Sequence, residues 1–342
     1  MKVLQVVTRD EPGGVQVLTE MIAEGLTRRG HEIETIAMAG NLRRLASTIL
    51  SRRHDALLSY QVAAGIFASA LAFPAGIRLR ATHLTAIPAA MRPHWRLLDR
   101  LWGQYGIHST IIANSAATQL SIAAYPDSYR RRTFLIPHGV TPLPMPHNTN
   151  WRHHLGVPAN TPLLVASGRL ATQKNHAIAV AALPLLPGAH LAIAGDGELR
   201  DALVAQAIQL NVSDRLHLLG NLDRPSLAAL LMSANIYLFP STWESFGLAG
   251  VEAAMLGLPI LAADLPVLRE VLAPAATLGL AVFHASNGAT QLAATAKAML
   301  AQPASPQQRT ASATAMQSRH GIEPMVEAYC RLLETLPPRA KR

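Results

Sequence analysis

The chain has 342 residues, half of them hydrophobic and 15% charged, which excludes an intrinsically disordered protein and suits two globular domains better than one. No uninterrupted apolar run reaches the roughly 18 residues of a membrane span; the longest candidate, 62–77, carries Gly65 and is broken by Pro74. The formal charge of +9 is uneven, with sixteen Lys and Arg against nine Asp and Glu in residues 1–150 and fourteen against twelve in 151–342.

The opening run 2–7 reads as a β-strand and not as a secretory leader, because Arg9, Asp10 and Glu11 follow it at once. Further apolar runs predict strands at 32–37, 55–60, 77–83, 110–113 and 133–136, with helices between them that include 15–29 and 116–124. The alternating prolines of Thr141-Pro142-Leu143-Pro144-Met145-Pro146-His147-Asn148 forbid both helix and ladder pairing and mark a domain boundary. The pattern then restarts, with strands expected at 162–167, 189–194, 216–219, 236–240, 259–263 and 280–283, and an amphipathic helix at 323–336. Strands alternating with helices imply an α/β protein of two Rossmann-like doubly wound domains, 1–145 and 146–322, followed by a terminal helix and tail at 323–342.

The basic excess of the first half gathers in Arg28-Arg29, Arg43-Arg44, Arg52-Arg53 and Arg130-Arg131-Arg132. It is either a solvated surface or a face for an anionic partner such as a phosphorylated acceptor or an anionic membrane. Nucleic acid ranks last, since aromatics are 5% of the chain and none is interleaved with the arginines for base stacking. Cys330 is the single cysteine, which excludes an internal disulfide framework and a cysteine-based zinc cluster and fits a reducing cytoplasm. Apolar neighbours at helical spacing, from Met325 to Leu333, make it a buried helix position and not a nucleophile.

Two segments carry chemistry. In Ser167-Gly168-Arg169-Leu170-Ala171-Thr172-Gln173-Lys174-Asn175 a strand runs through a glycine turn into a helix, and two cations five residues apart can point at one anion. In Phe239-Pro240-Ser241-Thr242-Trp243-Glu244-Ser245-Phe246-Gly247-Leu248 a strand ends and a helix begins, leaving Glu244 in the loop and Glu252 inside the helix. Were the whole stretch helical, the two carboxylates would stand about 12 Å apart, far enough to hold two ends of one elongated ligand. Acidic residues near a helix start are also ordinary capping, but Glu252 lies in a nearly charge-free helix and would be a buried charge with no evident polar partner.

Together these segments resemble the retaining glycosyltransferases of the GT-B fold, family 4, also described as glycosyl transferases group 1. The resemblance runs from Gly13-Gly14 through Ile136-Pro137-His138-Gly139, Gly168-Arg169 with Lys174-Asn175, and Gly195-Asp196-Gly197, to Glu244 with Glu252 and to Gly257-Leu258-Pro259. It implies two domains facing across a cleft, with the terminal helix crossing back to the first. It also implies that Arg169 and Lys174 neutralise a donor diphosphate and that Glu252 takes the ribose hydroxyls. Glu244 would hold the donor sugar in a pocket completed by Phe246, Gly247 and Leu248, and Gly13 and Gly14 would let the first loop approach closely. A lone histidine is more often a satisfied core residue, but His83 matches a histidine near the reacting sugar, and the resemblance implies a catalytic role for it beside Glu244, Arg169 and Lys174.

The chain departs from the pattern at Leu84, His138 and Thr141, all on the acceptor side. No Asp-x-Asp occurs, so the resemblance implies no metal and no cofactor, only a nucleotide-diphosphate sugar as donor. The acceptor would be a glycan or a lipid-linked molecule, and the protein cytoplasmic or peripheral on the inner face of an anionic membrane. A nicotinamide dehydrogenase is disfavoured because no complete Gly-x-Gly-x-x-Gly is present: Gly195-Asp196-Gly197 is followed by Arg200. A nucleotide-sugar epimerase of the same fold and an inactive homologue acting as a binding protein are the alternatives.

Overall fold

The apolar runs close into two six-stranded sheets in the computed structural model, which describes residues 1–9, 13–146, 149–284 and 288–335. Residues 1–141 and the chain from 321 form one unit, and residues 142–320 form the other. The Asp10 and Glu11 that follow the first strand, the His147 and Asn148 of the proline run, and Leu336 of the terminal helix lie outside the described residues.

In the first unit the strands are β1 (Lys2–Val7), β2 (Glu32–Ala37), β3 (Ala56–Tyr60), β4 (Leu79–His83), β5 (Thr110–Ala113) and β6 (Thr133–Leu135). They pair in the order β2-β1-β3-β4-β5-β6, every pair parallel. Every residue of β3, β4 and β5 is buried, as expected of strands covered by helices on both faces. The predicted helix at 116–124 is shorter, Ala116–Leu120. Ser115 caps its start, and at its end the Ser121 hydroxyl donates to the Thr118 carbonyl at 2.6 Å, a local bond that competes with helix propagation. The helix Ile322–Glu334 belongs to this unit, as the resemblance implies: Met325, Tyr329 and Leu333 enter the core formed by Val3, Leu18, Leu26 and Ile112. Cys330, on the same helix, is half-buried and packs against that core, which raises its thiol pKa.

The second unit repeats the plan with β7 (Leu163–Ser167), β8 (His190–Ala194), β9 (Leu216–Leu218), β10 (Ile236–Phe239), β11 (Ile260–Ala263) and β12 (Ala281–His284). Their order is β12-β11-β10-β7-β8-β9, again parallel throughout. One face of this sheet supplies Leu164, Ala166, Leu191, Ile193 and Leu238 to a core closed by Val180, Leu183, Leu203 and Leu292 from the helices.

Strand order reverses between β1 and β3 in one sheet and between β7 and β10 in the other. At such a point the loops leaving neighbouring strands diverge, and the crevice beyond their carboxyl ends is where open parallel sheets hold ligands. In the second unit those loops begin at Gly168 and Pro240, the two segments already singled out by their chemistry.

Candidate functional site

The loop after β7 is built for close backbone approach. A Cβ placed on Gly195, after β8, would lie 2.1 Å from the Gly168 carbonyl oxygen, so the two loops can touch only because no side chain intervenes. Gly195 also sits at a φ of +144°. Bonds from Gly168 N–H to the Ala194 carbonyl and from Leu170 N–H to the Asp196 carbonyl, both 2.9 Å, hold the contact. The chain then makes a short turn through Thr172–Lys174, passes through Asn175 in the left-handed region, and enters the helix His176–Ala182.

The loop after β10 is stitched to the first. Thr242 N–H donates to the Gln173 carbonyl at 2.8 Å, and Gln173 Nε2 donates to the Trp243 carbonyl at 3.2 Å. Gly247, at φ +94°, turns the chain into the helix Leu248–Met255. A Cβ there would meet Leu268 Cδ2 at 2.9 Å and the Phe239 ring at 3.0 Å. Residues 244–247 are therefore not helical, and the helical spacing of about 12 Å between Glu244 and Glu252 does not apply. Phe246 is buried edge-on against His320, with ring centroids 5.6 Å apart, so what it offers the loop is backbone.

Two ion pairs organise the charge. Lys174 Nζ lies 2.6 Å from Glu244 Oε1, and the Ser241 hydroxyl donates to the same oxygen at 2.8 Å. Glu244 is only 7% exposed, and these two donors stand where water would otherwise solvate it. The Lys174 ammonium also stands 5.4 Å above the centre of the Phe239 ring. Arg169, by contrast, is exposed, and its guanidinium has no ion pair among the described residues. The two cations thus divide: Lys174 is already neutralising a carboxylate, and Arg169 is the unshared charge.

The second pair is Glu252 Oε1 with Arg224 Nη1 at 2.8 Å. Burial pushes the Glu252 carboxyl pKa up, and Arg224 pulls it back. Sequence reasoning left Glu252 without a polar partner and missed Arg224 altogether. The only local signal was a helix start: Asp223 accepts from Ser226 N–H as the cap, and Arg224 is the first residue of the helix Arg224–Ser233. The Tyr237 hydroxyl is 2.9 Å from Ser167 Oγ; burial raises its pKa, and the Ser167 bond partly offsets this.

In the first unit, Gly13 caps the helix Gly14–Arg28, of which Gly14 is the first residue. Beside this loop at the β1–β3 reversal, Thr8 N–H donates to Gln61 Oε1 at 3.0 Å. His83 ends β4 and is 3% exposed. Its Nδ1 is 2.8 Å from the Ser59 carbonyl oxygen, which fixes the proton there, and its Nε2 accepts from the Tyr329 hydroxyl at 2.6 Å. The ring stacks on Tyr60 at 4.1 Å, and burial lowers its pKa to about 4. This is the geometry of a satisfied, neutral core histidine. His138, of Pro137-His138-Gly139, is likewise buried, with Nε2 3.1 Å from Asn114 Nδ2 and its pKa lowered to about 3 by burial.

Among the described residues no group of three or more His, Cys, Asp or Glu side chains gathers where it could hold a metal ion, and no helix is long and apolar enough to cross a membrane.

Residues 147–316 match the family of glycosyl transferases group 1 and belong to it. Over 154 residues the chain is 36% identical to a glycogen synthase of Mycobacterium tuberculosis, an alignment covering 44% of this chain and 36% of that one. Over 111 residues it is 34% identical to the lipopolysaccharide core biosynthesis glycosyltransferase LpsE of Rhizobium meliloti, 32% of each chain. The chain thus spans about a third of the length of these relatives. In structure it is similar to HepE of Anabaena in complex with UDP-glucose, with a TM-score of 0.81 at 21% identity over 98% of this chain and 100% of that one. The fold is GT-B.

Proposed function

We propose that this member of the glycosyl transferases group 1 moves a sugar from a nucleoside-diphosphate donor to a glycan or lipid-linked acceptor, with retention of anomeric configuration and without a catalytic metal. The product would belong to cell-surface polysaccharide, lipopolysaccharide or glycolipid synthesis. The observation that carries this reading is the pair of buried carboxylates, Glu244 and Glu252, each held by one cation at the switch point of the second sheet.

The chemistry follows from that charge arrangement. As the glycosidic bond breaks, negative charge grows on the leaving diphosphate, and fixed cations that face it lower the barrier. Arg169, exposed and unshared, makes the first contact. Lys174 reaches the same anion by exchanging Glu244 for phosphate oxygens, which releases Glu244 to accept hydrogen bonds from donor-sugar hydroxyls. Glu252 accepts from the ribose hydroxyls at the other end, and the backbone of Phe246, Gly247 and Leu248 lines the sugar pocket at a helix start. Gly13 and Gly14 let the first loop close in. His83, with both nitrogens bonded, supports the acceptor-side strand ends and keeps them uncharged.

The donor class is supported by the UDP-glucose in the HepE complex, and the acceptor class by the lipopolysaccharide role in the name of LpsE. A cytoplasmic enzyme that docks peripherally on an anionic leaflet fits the basic first unit. Its helix Pro93–Gln104 exposes Arg96 and Arg100 beside Leu97, with Arg92 before it and Tyr105 after it, a face both cationic and apolar. The direct test is a thermal-shift panel of UDP-, GDP- and ADP-sugars. A donor at about 100 times its dissociation constant adds roughly 2.7 kcal/mol to stability, and no shift from any nucleotide sugar would overturn the reading.

A further inference from the structure

We infer that Arg224 is a positioning residue for the donor: its guanidinium holds Glu252 ionised and fixed in place to receive the ribose. The inference rests on the donor reading of Glu252 and adds a residue that neither the motif nor its spacing contains.

Three observations carry it. The Glu252 side chain is 11% exposed and its carboxylate is bonded by Arg224 Nη1 at 2.8 Å, so among the described residues a nearly dry carboxylate has one cationic neighbour at contact distance. Arg224 is the first residue of the helix Arg224–Ser233, whose start is locked by the Asp223 cap and by Pro225, so its backbone is firmly anchored. The pair joins residues 28 apart in sequence and from different elements, and the side chain of Arg224 itself remains 36% exposed. A stabilising surface pair has no need to bury only its acidic half; a binding carboxylate does, because a charge shielded from water makes stronger bonds to an arriving hydroxyl.

The field at Glu252 is simple. Arg224 acts from its helix, and Tyr237, itself unionised in the working range, faces it from β10, with Glu244 reaching Tyr237 from the loop. The helix Pro306–His320 packs on the helix of Glu252, but among the described residues its Arg309, Arg319 and His320 exert no resolved effect on the carboxylate. β11 brings only Ile260, Leu261, Ala262 and Ala263. Without Arg224, burial alone decides, and it favours the protonated acid. A protonated Glu252 loses the charge that makes its bonds to ribose strong.

The experiment is calorimetric binding of UDP, GDP and ADP from pH 6 to 8.5, on the full chain and on Arg224→Met and Arg224→Lys. For the nucleotide that binds best, the unmodified protein should hold its affinity within about twofold across the range. Arg224→Met should bind about tenfold more weakly at pH 6 and recover as pH rises, and Arg224→Lys should restore the flat profile. A variant that merely folds poorly would lose binding at every pH, with no recovery and no rescue by lysine. That outcome, or an unchanged affinity in Arg224→Met, overturns the proposal while leaving the donor reading standing. Absence of binding by the unmodified protein to all three nucleotides would overturn the donor reading and this proposal with it.

Discussion

Acid should destabilise the first unit, and the magnitude follows from its buried histidines. His83, His108 and His138 have their pKa values lowered by burial to about 4, about 3 and about 3, whereas an unfolded histidine titrates near 6.5. The unfolded chain therefore binds more protons than the folded one below about pH 6.5. Stability from these groups is complete above that value and is lost as pH falls toward 4. At pH 5 each histidine forfeits about 2 kcal/mol. Asp99 opposes them. It is buried with its carboxylate accepting from the Tyr129 hydroxyl at 2.8 Å, and burial raises its pKa to about 6. The folded state takes up that proton first, which returns a little over 1 kcal/mol by pH 5. The net loss between pH 7.5 and 5 is about 4–5 kcal/mol, a large share of the 5–15 kcal/mol that holds a typical domain. Calorimetry of the full chain at both pH values should show the transition of the first unit moving to much lower temperature. His138→Asn, which removes one titrating group, should recover about 2 kcal/mol of the pH-dependent loss. Equal or greater stability at pH 5, or an unaltered pH slope in the variant, would refute the reasoning.

Lys174→Met should lower the stability of the second unit by about 3 kcal/mol, because among the described residues Glu244 is left buried with only Ser241 as donor. Arg169→Ala, at an exposed and unpaired position, should change stability by less than about 0.5 kcal/mol yet weaken nucleoside-diphosphate binding at least tenfold; denaturation and calorimetry separate the two, and equal behaviour of the variants would be inconsistent with the division of roles. Since the chain contains no Asp-x-Asp and the proposal has Arg169 and Lys174 neutralise the diphosphate, turnover should continue in excess chelator, and loss of activity restored by magnesium or manganese would contradict this. Vesicles with anionic lipid should bind the protein at low salt and release it as ionic strength rises, whereas neutral vesicles should not; equal binding to both would leave the arginines of the first unit as solvated surface.

Much of the fold was legible in the order of residues because it depends on local physics. Apolar runs separated by amphipathic segments demand parallel strands under helices, and all twelve strands lie where those runs predict them, with ends shifted by a residue or two. Turn glycines and the prolines after Thr141 punctuate the chain for equally local reasons. The position of Glu244 in a loop and of Glu252 in a helix also follows from neighbours along the chain. Their partners do not. Lys174 meets Glu244 across 70 residues, and His83 meets Tyr329 across 246. The Lys174–Glu244 contact exists because β10 pairs with β7, a strand order that periodicity cannot specify, and the His83–Tyr329 contact because the last helix packs on the first sheet. Tertiary contacts also set Phe246 against His320, satisfied both nitrogens of His83, and gave Glu252 the arginine that makes its burial tolerable. Composition and spacing determined which groups carry charge and on which kind of element they stand. Which charges neutralise one another was decided by tertiary structure alone, because a buried ion is stable only beside a partner that the fold, and not the neighbouring sequence, brings to it.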